Sequence, residues 1–330
     1  MSSKPSLPGD RETPFSAWWP FVAGALIGVG LRIVFWGSPG EPYAVMTAAF
    51  IFLAPLAVGA VTVYFAERQK RRTWGYYAWA SMWSTALAVL GTLLIMIEGL
   101  ICAIIILPLF ALIGALGGLA MGLVCRFTDW PKPTVTCVVL LPLLLGGVDF
   151  GIGMPQTIAT VERTTIVAAS PATLWQQILD APAIRPDEID RAWLFRIGVP
   201  VPLEGRLRTE AGGTTRRVHM AKDVYFDEVI EQQREHEFVR WTYRFYDDSF
   251  PPYALDEHVV IGGHYFDIRD TSYMLSPHGD GTQLTVRLSY RISTSFNWYA
   301  RPVMQLLLGN LAEANLAYYR QRSEAAEAPM

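Results

Sequence analysis

The densest group of residues able to move a proton or bind a cation is Asp256-Glu257-His258. His264 follows six residues after His258, and His219 lies further upstream. A histidine beside a carboxylate is the usual pairing for general acid–base work. Two histidines and a carboxylate can also hold a metal ion. The interval from His258 to His264 crosses Gly262-Gly263 and matches no known ligand spacing. The bland alternative is that Asp256 and His258 fasten a loop by hydrogen bonds. Asp256, His258 and His264 are therefore candidate catalytic residues only, and neither a metal nor a cofactor is assigned. The sequence contains no G-x-S-x-G, H-E-x-x-H, phosphate-loop or dinucleotide fingerprint. Cys102, Cys125 and Cys137 sit in or beside apolar segments with no paired spacing.

Alternation supplies a second set of candidates. In the run 238–246, Val239, Trp241, Tyr243 and Phe245 share one strand face. His264, Phe266 and Ile268 share a face in 262–270, and Val286, Leu288, Tyr290 and Ile292 share one in 282–294. Such a face suits a mostly apolar pocket with a few polar handles; it also suits an ordinary core. A final helical pattern, about 297–322, carries Val303, Leu306, Leu307, Asn310, Ala314 and Ala317 as a stripe. Trp241, Tyr243, Phe245, His264, Phe266, Leu288, Tyr290, Leu306 and Asn310 are the expected ligand-binding residues. The loop 246–256 carries Phe250, Pro251, Pro252 and Tyr253, either as a lid or bilayer contact or packed on its own domain.

These residues all lie in the charged half of a divided chain. Of 330 residues 52% are hydrophobic and only 17% charged, with net charge −3 and mean hydropathy +0.25. Residues 1–150 hold 9 Lys/Arg and 7 Asp/Glu, against 18 and 23 in residues 151–330. This excludes a disordered chain or a basic nucleic-acid binder and suggests a membrane part joined to a water-soluble part. Apolar runs predict a bundle of about five spans, 17–36, 43–65, 76–97, 100–124 and 134–150, each near the ~20 residues that cross a bilayer. The last is short. Lys4, Arg11, Arg68, Lys70, Arg71, Arg72, Arg126 and Lys132 fall on one side. That asymmetry predicts a cytoplasmic N-terminal tail, 1–16, and an extracytoplasmic C-terminal domain. Gly114, Gly117, Gly118 and Gly122 form a small-residue stripe, for packing within the bundle or in a dimer. Of 27 basic residues only Lys4, Lys70, Lys132 and Lys222 are lysine, a bias expected of a GC-rich bacterial genome.

After residue 156 the order is strand, short helix, irregular Pro-rich stretch, about six strands and a long helix. The helix 171–182 is opened by Ser170 as cap and Pro171 at its first position. Together with TIVAASPATLWQQILDAP and the pair DEHVVIGGHYFDIRDTSYML and GTQLTVRLSYRISTSFNWYA, this order resembles the START-like, polyketide cyclase-like or helix-grip superfamily. The resemblance covers residues 158–322, with bacterial relatives fused to several membrane spans. It implies an α+β domain at 157–322, a curved antiparallel sheet around the C-terminal helix, followed by a flexible tail at 323–330. It also implies a cavity for a lipid, isoprenoid or other hydrophobic molecule. The loop GVPVPLEGRL, where the entrance would lie, departs from the pattern.

The expectation is thus a multi-pass inner-membrane protein whose anchored domain binds a hydrophobic ligand, its partners being the bilayer and that ligand, with no nucleic acid. The alternatives are an assembly or regulatory protein that uses the domain to hold a protein partner or a second copy, and a cyclase- or hydrolase-type enzyme.

Overall fold

Ser170 accepts a hydrogen bond from the Thr173 amide at 3.3 Å, and Pro171 occupies the first helical position, where its missing N–H costs nothing. That is the kind of local instruction that sets the elements throughout. A computed structural model describes residues 17–128, 134–148, 153–210, 213–252, 254–256 and 258–328. The N-terminal tail, the Pro-Lys-Pro at 131–133, Asp149, Gly212, Tyr253 and Glu257 lie outside the described residues. The chain forms two units, Met1–Ile97 with Ile106–Gly153, and Glu98–Ile105 with Met154–Met330.

The first unit is helical: α1 (Trp19–Val34), a π-helical stretch (Ala49–Leu53) running into α2 (Ala54–Gln69), α3 (Trp74–Leu94), α4 (Leu100–Phe127), whose start up to Ile105 belongs to the second unit, and α5 (Thr134–Gly146). Among the described residues three helices are long and apolar enough to cross a membrane: Ala49–Gln69, Trp74–Leu94 and Leu100–Phe127. The expected first and fifth spans correspond to shorter apolar helices, Trp19–Val34 and Cys137–Gly146, so five spans are not confirmed among the described residues. At 16 residues α1 reaches about 24 Å, short of a ~30 Å core, and α5 is shorter still. Residues expected to begin the second span at 43 instead form turns and a bridge, Gly37 to Ala44. Arg32 lies near the end of α1. It is buried and donates to the Phe35 carbonyl at 2.8 Å, closing the C-terminal end of α1.

The glycine stripe packs inside this unit. A Cβ on Gly117 would lie 2.2 Å from the Leu56 carbonyl, and one on Gly118 would lie 2.6 Å from the Tyr77 carbonyl. Gly114 meets Thr85, and Gly122 meets the Tyr77 ring. Small residues here let α4 approach α2 and α3 at backbone distance.

The second unit is built on β1 (Gln156–Val167), α6 (Pro171–Leu179), α7 (Pro186–Ile189), α8 (Trp193–Arg196), β2 (Pro202–Glu210), β3 (Gly213–Met220), β4 (Tyr225–Arg234), β5 (Phe238–Arg244), β6 (Phe266–His278), β7 (Gly281–Ser293) and α9 (Asn297–Glu327). The seven strands form one antiparallel sheet, order β1-β7-β6-β5-β4-β3-β2. With the long helix α9 packed on it, this is consistent with a helix-grip architecture. Two short helices occupy the stretch read as irregular. The tail expected at 323–330 continues α9 to Glu327, because Glu327 accepts from the Ser170 amide and the Thr173 hydroxyl at 2.8 and 2.6 Å.

Register decides what faces inward. Trp241 pairs with Thr271, Thr271 with Leu288, and Leu288 with Val161. A bulge between Ile268 and Asp270 shifts β6 by one residue, so Thr271, Tyr273 and Leu275 join Ile268 on the inner face.

Candidate functional site

The inner face presents Phe226 and Glu228 from β4, Trp241 and Tyr243 from β5, Thr271 and Tyr273 from β6, and Leu288 and Tyr290 from β7, placed there by register. Opposite them α9 brings Tyr318 and Tyr319. The Tyr273 and Tyr319 rings meet edge to face at 5.5 Å, Trp241 lies 5.4 Å from Tyr273, and Phe226 lies 5.7 Å from both Tyr243 and Phe245. Edge-to-face contacts of this kind add to area burial.

A charged pair stands within this aromatic lining. Arg216 on β3 is directly opposite Glu228 on β4, and its guanidinium donates to the carboxylate at 2.6 Å. Both side chains are under 10% exposed. Gly205 on β2 makes the space: a Cβ there would fall 2.3 Å from the guanidinium. Burial raises the Glu228 pKa against the pull of Arg216. Burial likewise pushes the Tyr318 hydroxyl up to about 12. Arg216 Nε, Tyr318 Oη and Tyr290 Oη are buried with no hydrogen-bond partner among the described residues. Each such atom forfeits roughly 1–3 kcal/mol unless something else bonds it.

The neighbouring cross-strand pair faces the other way. Arg217 and Asp227 form a bidentate pair, one arm at 2.8 Å, and Tyr246 donates to the same carboxylate. Hydrogen bonding from Arg217 holds Asp227 below the ordinary carboxylate range. Its contribution is therefore full above the unfolded value near pH 4 and disappears as pH falls through the lower folded value. Asp227→Asn should cost about 1.5–3 kcal/mol at pH 7 and flatten stability below about pH 4. Urea titrations at pH 7 and in acid test this, and an acid limb matching the wild type would exclude the pair as its source.

Of the residues expected to bind ligand, Trp241, Tyr243, Phe266, Leu288 and Tyr290 share the inner face, and Phe245, just past β5, stacks on Tyr243. Tyr243 bonds the Thr271 hydroxyl at 2.6 Å. His264 is exposed, with its ring against Tyr265. Leu306 is 58% exposed, and Asn310 accepts from the Trp193 amide at 2.7 Å, capping α8. Gly309 accommodates the Arg163 guanidinium. The Phe250 ring lies 5.5 Å from the Phe245 ring.

His258 is buried, and its Nδ1 lies 2.6 Å from Asp256 Oδ1. The Asp256 carboxylate also accepts from the His258 amide at 3.0 Å and from the Gly99 amide at 2.8 Å. Burial alone would raise Asp256, but these donors outweigh it and hold the carboxyl well below its usual range.

Sequence reading missed Arg216, Glu228, Tyr273, Tyr318 and Tyr319. One signal existed. Arg216-Arg217 and Asp227-Glu228 stand symmetrically about Lys222, so a hairpin there pairs opposite charges on both faces. Lys222 and Asp223 both adopt positive φ (58°) in the loop closed by the Met220 amide on the Val224 carbonyl. Neither is a glycine, which hid the turn.

No family model matches the chain, and no curated protein matches it. Among solved structures, a START superfamily protein from Mycobacterium smegmatis is similar at 17% identity. It covers 51% of this chain and 98% of that one, with a TM-score of 0.34. A protein of unknown function from Staphylococcus aureus is similar at 10% identity over 53% and 98%, with a TM-score of 0.34. Ara h 8.0201 is similar at 15% identity over 50% and 98%, with a TM-score of 0.27.

Proposed function

We propose that the second unit binds a neutral amphipathic molecule of the lipid or isoprenoid class between the inner face of the sheet and α9. The apolar helices of the first unit would hold it at a bilayer. The observation that carries this is the unpartnered Arg216 Nε and Tyr318 Oη, buried on an otherwise apolar and aromatic face. Arg216 needs an acceptor there, and Tyr318 can supply or accept a hydrogen bond. Because Glu228 already balances the Arg216 charge, an anionic head would bring an uncompensated buried charge, which is costly. A hydroxyl or carbonyl would not. Val286, Leu288, Ile268 and Val239 supply the surface for an apolar chain. A membrane anchor would raise the local concentration of such a ligand.

The test is lipid extraction and mass spectrometry on the full chain purified in detergent, beside the double variant Arg216→Met/Glu228→Leu. The wild type should retain about one neutral lipid per chain, and the folded double variant less than a tenth of that. Equal lipid in both, or a preference for anionic heads, would refute the reading.

A further inference from the structure

The loop carrying Asp256 and His258 meets the start of α4. Glu98, Cys102, Asp256 and His258 each direct one potential ligand atom into a common space, and these atoms all lie within 4.8 Å of one another. The four residues belong to one unit, since Glu98–Ile105 clusters with Met154–Met330. The segment is anchored on both flanks: the Gly99 amide bonds Asp256 at 2.8 Å, and Tyr299 Oη donates to the Ile105 carbonyl at 2.7 Å. Gly99 is required at this approach, because a Cβ would come within 2.7 Å of the Asp256 carboxylate.

We propose that Glu98, Cys102, Asp256 and His258 form a binding site for a divalent transition-metal ion of the zinc class. Four chemical features choose the ion. A thiolate and an imidazole select zinc, cobalt or a similar metal over magnesium and calcium, which take oxygen ligands. Two carboxylates and a thiolate brought together carry negative charge that a divalent cation neutralises. Tetrahedral bonds of about 2.0–2.3 Å place ligand atoms roughly 3.3–3.8 Å apart, so the site closes with small side-chain movements. Four protein ligands leave no open coordination position, which marks a structural site rather than a catalytic one. The contact between His258 Nδ1 and Asp256 Oδ1 already brings these two side chains together at the site. The ion would clamp the first turn of α4 to Asp256 and His258.

The experiment uses the full chain in detergent, stripped with a chelator and titrated with Co²⁺ and then Zn²⁺. One Co²⁺ per chain should bind with a thiolate-to-cobalt charge-transfer band in the near ultraviolet, and Zn²⁺ should displace it. Cys102→Ser should abolish the band and weaken binding at least 100-fold, whereas Cys125→Ser/Cys137→Ser should retain both. A second readout needs no variant. Saturating Zn²⁺ should slow alkylation of Cys102 at least tenfold, followed by peptide mass spectrometry. Absence of the band, its survival in Cys102→Ser, or Cys102 alkylation indifferent to Zn²⁺ would overturn the proposal.

Discussion

Glu228→Ala lowers the stability of the second unit by about 3–5 kcal/mol, the cost of leaving a buried charge without its partner. Among the described residues Glu228 is the one ion-pair partner of the Arg216 guanidinium, and its surroundings are the Trp241, Tyr273 and Tyr319 rings. Truncating the acid strands the cation in an aromatic interior where it cannot reach water. Arg216→Met/Glu228→Leu behaves differently. It removes both charges, keeps most of the volume and should come out near neutral or more stable. Near-ultraviolet circular dichroism across a urea titration reports the packing of these rings. A Glu228→Ala midpoint equal to the wild type would mean that water reaches the pair. A stable double variant that has lost its ligand would show that the pair is kept for recognition, since stability alone does not favour it.

Gly59→Ala destabilises the helical unit by about 3 kcal/mol or more, at the upper end of overpacking costs. The added Cβ would fall 1.9 Å from the Gly114 carbonyl oxygen and 2.8 Å from the Gly118 amide nitrogen. Both obstacles are backbone, so no rotamer change relieves them. α2 and α4 must separate, and the Ser81 hydroxyl, 3.3 Å from the Gly59 carbonyl, loses an acceptor. Gly30→Ala and Gly75→Ala are the controls. Neither meets an atom within 4 Å, and both sit in helices, where alanine gains up to about 1 kcal/mol over glycine. The readout is the monodisperse fraction in detergent and its thermal midpoint. A Gly59→Ala chain as stable as the Gly30→Ala control would contradict the backbone contact.

The parts legible in the sequence were those with uninterrupted period. β5 and β7 alternate without a break, so Val239, Trp241, Tyr243, Leu288 and Tyr290 could be assigned to one face directly. β6 could not be extended the same way. Its bulge reverses the alternation after Ile268, bringing Tyr273 inward and leaving Asp270 to pair with Arg240 at 3.3 Å. The Arg216–Glu228 pair was hidden because a charged residue in a strand is ordinarily placed on the solvent side. The Glu98 and Cys102 contribution was hidden for another reason. It joins residues more than 150 positions apart, and no local pattern encodes that distance. Helix lengths were overestimated where apolar composition outran the helix itself, as at residues 43–48 before the π-helical stretch.

The discontinuity of the second unit bears on how a nascent chain acquires it. Gly99 leaves the ribosome 157 residues before the Asp256 carboxylate that will bond its amide. At about 5–20 residues per second that interval is roughly 8–30 seconds. β1 has the same problem, since its strand partner runs to Ser293 at the far end of the sheet. The early-made pieces must therefore be held in reserve while the rest of the domain is translated. A gene fragment cut at residue 154 would deliver the late half without the segment that Asp256 and Tyr299 are shaped to receive.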